Sequence, residues 1–179
     1  ESADTRARAR LIRGDAINMQ LGEEFDLIVA PCNFLNCLPG PGQGMALLDS
    51  VKLHMKAGGM FILDYSLPDT EDMVKSQGVT MTMDFVHPRR GTTIVDMFTP
   101  RYDFASQIET DEIVLEEREG DKVLRREETT EVLTYYFPRE IRLMLETAGL
   151  QIVREQGSLL KQVPIDSNAG EMVFFCRKI

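Results

Sequence analysis

The sequence predicts an α/β fold built around an open β-sheet, and two apolar segments with a helix between them carry this prediction. Phe25 to Pro39 begins with a strand-like apolar run, and the helix-like segment after it ends at the pair Gly58-Gly59. Met60 to Pro68 follows that pair directly as a second apolar run. A strand, a helix and a strand in this order are typical of a sheet with parallel strands.

Parallel sheets of this kind bind ligands at the carboxyl ends of their strands. Such ends are expected in the first half of the chain at Gly14-Asp15, at residues 30–33 and at Asp64-Tyr65. Because neighbouring parallel strands end at the same edge of a sheet, we expect these residues to form a single crevice.

The remaining elements of the first half follow from local patterns. Nearly continuous apolar runs predict buried strands, apolar residues repeated every three or four positions predict helices, and glycines mark helix ends. We expect, in chain order, the end of a helix at residues 1–9, a strand at 10–16, a buried strand at 25–30, a helix over 43–56 capped by Gly58-Gly59, a strand at 60–66 and a short helix at 69–77.

Residues 79–136 differ in character, with many β-branched and charged side chains. Gly91 and Glu119-Gly120-Asp121 are turn signals that divide this region. We expect antiparallel strands at residues 79–87, 92–104, 107–118 and 122–136. The charge-rich hairpin formed by the last two strands is either a solvated face or a partner surface, because a long hairpin exposes edges that can pair.

The end of the chain returns to the α/β pattern. Pro138 suits the first turn of a helix, and Gly149 suits the position after its last turn. We expect a helix over 138–148, closing strands at 150–157 and 171–178, and a mobile loop at 160–170. The chain therefore divides into a sheet core at 1–78, an inserted antiparallel element at 79–136 and the remainder of the core at 137–179.

Composition limits the classes of partner. The chain has 179 residues and a net charge of −9, which argues against a nucleic-acid backbone or an anionic membrane as the main partner. It contains no apolar stretch long enough to cross a bilayer and no apolar core of a signal peptide. With three cysteines in no metal-binding spacing and two distant histidines, we expect a cytoplasmic protein without a metal site.

Four segments resemble class I S-adenosylmethionine-dependent methyltransferases that act on small molecules. They are GDA at residues 14–16, FDLIVAPCN at 25–33, KAGG with the apolar strand after it at 56–66, and YYFPREIRLMLETAGL at 135–150. The resemblance implies a Rossmann-like methyltransferase sheet into which an antiparallel β meander, residues 79–136, is inserted as a lid or dimerisation element.

The chain departs from this family at its amino-terminal side. The family's glycine-rich loop after the first strand has no counterpart, because the first glycine of the chain is Gly14. The acidic residue that ends the family's second strand has none either. The resemblance therefore implies an incomplete sheet, with this chain as the carboxyl-terminal portion of an enzyme.

The resemblance also implies a set of cofactor contacts for S-adenosylmethionine. Asp15 would accept a hydrogen bond from the adenine amino group, and the N–H of Ala16 would contact the same ring. The backbone carbonyls of Ala30, Pro31 and Cys32 would hold the α-amino group of the cofactor. The alternative for Asp15 is a turn residue that caps the following segment, and the alternative for Cys32 is a small buried residue.

The methyl acceptor is expected to contact Asn33, Asn36, Tyr65 and Tyr102. Asn33 is as well explained by a turn. Tyr135 and Tyr136 are expected to pack against the helix that follows them. No catalytic residue is assigned, because a sulfonium methyl group is already activated and the protein mainly supplies alignment.

The function implied by the resemblance is methyl transfer to a nitrogen or oxygen of a small molecule, with the meander as a site of homodimer formation. One alternative is a non-catalytic, truncated methyltransferase-like protein that acts by association through its meander. Another is a nucleotide-binding or dehydrogenase-like protein, which would need a glycine-rich loop of its own.

Overall fold

The computed structural model describes residues 8–166 and 169–179, so most of the expected helix end at 1–9 and two residues of the loop at 160–170 lie outside the described residues. The strands are β1 (Phe25–Ala30), β2 (Met55–Ser66), β3 (Met81–Val86), β4 (Thr93–Asp103), β5 (Ile108–Glu119), β6 (Lys122–Thr134), β7 (Leu150–Gln156) and β8 (Glu171–Lys178). The helices are α1 (Pro41–Leu53), α2 (Thr70–Ser76) and α3 (Pro138–Thr147), with single 3-10 turns at Ala16–Asn18 and Phe34–Cys37.

The strands form two four-stranded sheets, and the first is the core sheet. Its order is β1-β2-β8-β7, with β1 parallel to β2 and β8 antiparallel to both of its neighbours. Helix α1 connects the two parallel strands, as the predicted βαβ unit requires. The main hydrophobic core lies between this sheet and helices α1 and α3, and its fully buried members include Leu48, Phe61, Leu63, Leu145 and Phe174.

The expected helix cap at Gly58-Gly59 is wrong, because both glycines lie inside β2. Helix α1 ends at Leu53, and β2 starts at Met55 with an irregularity in its pairing to β1. Gly58 has a φ of 77°, and a Cβ on Gly59 would lie 3.0 Å from the backbone oxygen of Phe25. The glycines therefore allow an irregular strand start that brings β2 close to β1.

The expected strand at residues 10–16 is also wrong. Its place is taken by irregular backbone that leads into the 3-10 turn at Ala16–Asn18, and Leu11 is 96% exposed. A strand needs a neighbour for its backbone groups, and among the described residues β1 pairs only with β2. For the same reason β1 is not buried on both faces as expected, since Leu27 and Val29 are about half exposed.

The second sheet is the β meander, with the order β3-β4-β5-β6 and antiparallel pairing throughout. Its strands match the expected ranges closely, and Gly91 and Gly120 both adopt positive φ in the turns they predict. The hairpin of β5 and β6 carries ion pairs: Glu116 accepts hydrogen bonds from Arg118 and Arg126, and Arg126 also pairs with Glu128. Most of β6 is exposed, as expected of a solvated charged face.

In α1, Gly44 packs closely against α3 and the segment that enters it. A Cβ on Gly44 would lie 2.9 Å from the Met144 side chain and 3.0 Å from the Tyr136 hydroxyl. A Cβ on Gly42, two residues earlier in the same helix, would meet nothing within 4 Å. The two glycines thus have the same local structure and different surroundings.

We expect Gly44→Ala to leave the protein about 1–3 kcal/mol less stable than Gly42→Ala, because at Gly44 the added methyl group overpacks the core and offsets the helix propensity that both substitutions gain. Gly42→Ala is the matched control and should be neutral or stabilising by about 0.5–1 kcal/mol, since alanine favours a helix and has open space here. Urea denaturation measures both values. Equal effects of the two substitutions would contradict the close packing at Gly44.

Candidate functional site

The carboxyl ends of β1 and β2 are tied together by side chains. The N–H of Cys32 donates to Oδ2 of Asp64 at 3.2 Å. Asn33 bonds Ser66 twice, with Oδ1 accepting from the Ser66 N–H at 2.5 Å and Nδ2 donating to the Ser66 hydroxyl at 2.9 Å. Cys32 and Asn33 both have a φ of 57°, so the chain turns sharply as it leaves β1. The two strand ends therefore form one rigid edge.

A cavity of about 240 Å³ lies beside this edge, between the core sheet and the β meander. The core contributes Asn36 and Tyr65, and the meander contributes Tyr102 and Glu109. Seven further residues complete the lining, from the end of β2, from the segment between β2 and α2, from α2 itself and from the position after β6: Ser66, Leu67, Pro68, Asp69, Asp72, Met73 and Tyr135. The lining contains three carboxylates and no Lys, Arg or His, so the cavity favours a cationic or hydrogen-bond-donating ligand.

Tyr65 fixes the position of the meander relative to the core sheet. Its side chain is fully buried at the end of β2. The hydroxyl donates to the Thr134 carbonyl at 3.1 Å and accepts from the Tyr136 N–H at 2.9 Å. Burial raises the pKa of this phenol well above its usual value, which keeps the donating proton in place.

Tyr102 on β4 is held from two sides. Its backbone N–H donates to the Gln77 side chain at 2.7 Å, which links β4 to the end of α2. Its ring meets the Tyr135 ring edge to face, with the centroids 6.4 Å apart. Burial raises the pKa of Tyr102 to about 12, and both Tyr102 and Glu109 line the cavity. Tyr102 thus presents a neutral phenol beside a carboxylate at the cavity wall.

Glu109 and Asp111 lie two residues apart on β5 and therefore point to the same side of the sheet. Glu109 is directly opposite Tyr102 on β4, and Asp111 is opposite Glu131 on β6. Burial raises the pKa of Glu109, and the negative charge of Asp111 raises it further. The pKa of Asp111 is raised by burial and by Glu131. Two neighbouring carboxyl groups with raised pKa values hold a proton more readily than isolated ones do.

The structure brings together three of the residues expected to contact an acceptor, since Asn36, Tyr65 and Tyr102 all line the cavity. The fourth, Asn33, uses its side-chain amide to hold Ser66. Tyr136 packs in the core as expected, whereas Tyr135 also lines the cavity.

The expected cofactor residues lie in two places along the chain. Ala30 is buried at the end of β1, and Pro31 and Cys32 are exposed just beyond it. Asp15 is an exposed residue that caps the 3-10 turn, with Oδ1 accepting from the Ile17 N–H at 3.1 Å. Ala16 follows it and packs partly against the core. Within the described part of the chain, no hydrogen bond connects Asp15 with the end of β1.

Sequence reasoning missed the acidic residues of the cavity, namely Asp69, Asp72, Glu109 and Asp111 behind it. A signal was present, because acidic residues at alternate positions of a strand share one face. It also missed glycines at positions 40, 42 and 44, which have the GxGxG spacing. They open α1, where Gly40 adopts a φ of 84° and its N–H donates to the Thr134 hydroxyl. Gly44 packs against Met144 and Tyr136, and Gly42 has open space around it.

The described part of the chain contains neither a group of side chains that could hold a metal ion nor a membrane-spanning helix. No group of three or more His, Cys, Asp or Glu side chains there is arranged to hold a metal ion. No helix among residues 8–166 and 169–179 has the length and apolar character to span a membrane.

No protein-family model and no curated protein matches the sequence. Solved structures do match: an S-adenosylmethionine-dependent methyltransferase from Clostridium acetobutylicum has a TM-score of 0.77 at 15% identity, over 98% of this chain and 67% of that one. A sugar N-methyltransferase from a Streptoalloteichus species has a TM-score of 0.70 at 18% identity, over 99% and 66%. An amino pentose methyltransferase from Micromonospora echinaspora, solved with S-adenosylmethionine bound, has a TM-score of 0.67 at 16% identity, over 92% and 63%.

These similarities show that the chain has the Rossmann-like fold of class I S-adenosylmethionine-dependent methyltransferases, with an antiparallel meander inserted. The expected fold class is confirmed. The chain spans about two thirds of the length of the structures it matches.

We expect Tyr65→Phe to lower the free energy of unfolding by about 1–3 kcal/mol, because it leaves the Thr134 carbonyl and the Tyr136 N–H without their buried partner. Tyr135→Phe is the control, since the Tyr135 hydroxyl makes only a long 3.5 Å contact with the Asp103 carbonyl, and it should cost about 0.5 kcal/mol or less. Urea denaturation followed by circular dichroism compares them. A loss in Tyr65→Phe no greater than in the control would contradict the bridging role.

Proposed function

We propose that the chain forms the acceptor-binding part of an enzyme that transfers a methyl group from S-adenosylmethionine to a nitrogen or oxygen of a small molecule. The observation that carries this proposal is the cavity into which Asn36, Tyr65 and Tyr102 converge from separate elements. It lies at the carboxyl edge of β1 and β2, where sheets of this type bind their ligands. Its volume of about 240 Å³ suits a small molecule rather than a polymer.

The acidic and aromatic lining supports a polar, hydrogen-bond-donating acceptor. Three tyrosine rings form its walls, and its charged groups are carboxylates. Two of the structures with this fold are a sugar N-methyltransferase and an amino pentose methyltransferase, so the fold accommodates acceptors of this size and polarity. The cavity also favours an enzyme over a non-catalytic protein that acts only by association.

The exposed residues beyond β1 and at the Ala16–Asn18 turn support binding of the adenosyl cofactor. Pro31 and Cys32 are exposed beyond β1, and Asp15 is exposed with Oδ1 engaged by its own turn. Asp15 would accept a hydrogen bond from the adenine amino group, and the carbonyls of Ala30 and Pro31 would accept from the α-amino group. The cofactor supplies the activated methyl group, and the chain's own residues orient the acceptor toward it.

The free edge of β1 supports a larger sheet in the whole enzyme. Among the described residues, β1 pairs only with β2, and Leu27 and Val29 are exposed although parallel sheets are normally covered on both faces. We therefore propose that a further parallel strand of the enzyme pairs with β1 and completes the cofactor site, with this chain as its carboxyl-terminal portion.

The meander supports a homodimer. Five apolar residues lie on the face of this sheet that also carries Tyr102 and Glu109, and together they are here called the apolar face: Met83, Phe85, Phe98, Ile113 and Leu115. Met83 and Phe85 are more than half exposed. A second copy of the chain presents the same apolar face, so a two-fold contact would cover both at once.

A cytoplasmic location is consistent with the unpaired cysteines at Cys32, Cys37 and Cys176.

The cofactor assignment is tested with Asp15→Ala in the intact enzyme. Loss of a hydrogen bond to a charged group should weaken S-adenosylmethionine and S-adenosylhomocysteine binding about 10- to 100-fold in calorimetric titration. Asp121→Ala, at the exposed tip of the hairpin, is the control and should leave affinity unchanged. Unchanged affinity in Asp15→Ala would remove that assignment. A folded intact enzyme that binds neither compound would overturn the proposed function.

The dimer is tested with Phe85→Asp, which places a charge on the apolar face and should convert a dimer to a monomer in light scattering. Val86→Asp is the matched control, because Val86 is exposed on the opposite face of the same strand. A monomeric parent protein, or dissociation by both substitutions alike, would count against this interface.

A further inference from the structure

Of the three carboxylates that line the cavity, Glu109 is the one whose side chain is partly buried. It lies opposite Tyr102 in the register of β4 and β5, and both side chains line the cavity. Asp111 lies behind it on the same face of the same strand. The Glu109 side chain lines the cavity, so a ligand there touches it directly. The other cavity carboxylates, Asp69 and Asp72, are exposed at the start of α2.

The pair formed by Glu109 and Asp111 contains a buried oxygen atom without a hydrogen-bond partner, which a purely structural pair does not require. Asp111 Oδ1 is buried and receives no hydrogen bond while both carboxyl groups are ionised. A proton on either carboxyl group would lessen the repulsion within this partly buried pair. Asp111 also faces Glu131 across the strands, an arrangement of like charges that costs stability. The meander thus retains a destabilising set of carboxylates whose strain a proton relieves.

We propose that the methyl acceptor is an amine that enters the cavity as its ammonium form, and that Glu109 binds this cation and takes its proton. The inference rests on the proposed function and deepens it by naming the substrate class and a catalytic residue. The tyrosine rings of the cavity provide faces that attract a cation, which adds to the attraction of the carboxylate.

The chemistry balances as follows. One N–H bond of the ammonium breaks, its proton moves to a carboxylate oxygen of Glu109, and the electron pair stays on nitrogen. That pair then forms the bond to the methyl carbon, while the carbon–sulfur bond of the cofactor breaks with its electrons remaining on sulfur. The product is a methylated ammonium and a neutral thioether. Glu109 releases the proton to Asp111 or to solvent before the next cycle.

Several titratable groups surround Glu109 and set its behaviour with pH. They are Tyr102 on β4, Asp111 on β5, Glu131 on β6, Tyr65 on β2, Tyr135 after β6, and Asp69 and Asp72 at the start of α2. The carboxylates raise the pKa of Glu109, and burial contributes most. A raised pKa brings a carboxylate closer to that of the amine it must deprotonate, which favours proton transfer. Because the ionised form binds the cation, amine affinity should rise as pH rises through the pKa of Glu109.

The test uses cyclohexylamine and cyclohexanol, which share a shape and differ in charge, added without cofactor to the protein and followed by NMR. Cyclohexylamine should bind about tenfold more tightly above the pKa of Glu109 than below it, with a fall of about one unit in that pKa on saturation, because the two effects are linked. Cyclohexanol should show no such dependence. Absence of a pH-dependent amine affinity would overturn the inference.

Glu109→Gln keeps the size of the side chain and removes its charge, and in this variant the amine affinity should become independent of pH. Glu112→Gln is the matched control, because Glu112 is exposed on the opposite face of β5 and pairs with Arg101. It should keep the pH dependence of the parent protein. The titration of Glu109 in the parent protein needs no variant, so a folding defect in either variant leaves the test intact.

The outcomes separate this inference from the proposed function. Cofactor binding by calorimetry together with pH-independent amine affinity would overturn the role of Glu109 alone. A Glu109-dependent amine affinity in an intact enzyme that binds no cofactor would overturn the proposed function and support the amine contact.

Discussion

The hydroxyl of Tyr65 is the contact on which the arrangement of the two sheets depends. It is buried at the end of β2 and bonds to backbone on both sides of residue 135, where the chain leaves β6 and enters α3. The Thr134 side chain extends this junction by accepting from the Gly40 N–H at the start of α1. Tyr65 and Thr134 together join the core sheet, the meander and the start of α1. Without the Tyr65 hydroxyl, buried backbone groups from different elements would lack partners.

The cavity follows from this junction. Because Tyr65 holds residues 134–136, the Tyr135 ring is placed against Tyr102 and closes one wall. Gln107 reinforces the same corner, since its side-chain amide donates to the Tyr135 carbonyl and to Glu140. Glu109 lies two residues along β5 from Gln107, so the strand that carries the carboxylate is anchored beside the cavity. The position of the chemistry is therefore a result of how the meander is attached.

The sequence allowed the elements with local signals to be predicted well and those that depend on distant partners poorly. The meander strands and α3 are marked by turn glycines and by Pro138, and the structure has them within a few residues of the expected ranges. Gly58-Gly59 suits a helix cap and a strand irregularity equally, and only the approach of Phe25 decides between them. The strand at residues 10–16 fails because pairing requires a neighbour, which no local pattern reveals.

The site divides in the same way. Asn36, Tyr65 and Tyr102 were predicted through the family resemblance, which carries positional information that composition lacks. Glu109 lies in a charged stretch that looked like a solvated surface, and only the register with Tyr102 places it at the cavity. A carboxylate in a strand of mixed charges is indistinguishable from its exposed neighbours until the opposite strand is known.

The Glu–Arg ion pairs of the β5–β6 hairpin have a consequence for how this part of the molecule responds to its medium. Arg118 and Arg126 both bond Glu116 and hold its pKa below the usual range, while Arg126 is also shared with Glu128. The exposed pair of Arg126 and Glu128 weakens as dissolved ions screen it, whereas Glu116 and the Tyr65 junction are shielded by their burial. Rising ionic strength should therefore loosen the outer part of the hairpin first and leave its attachment to the core in place.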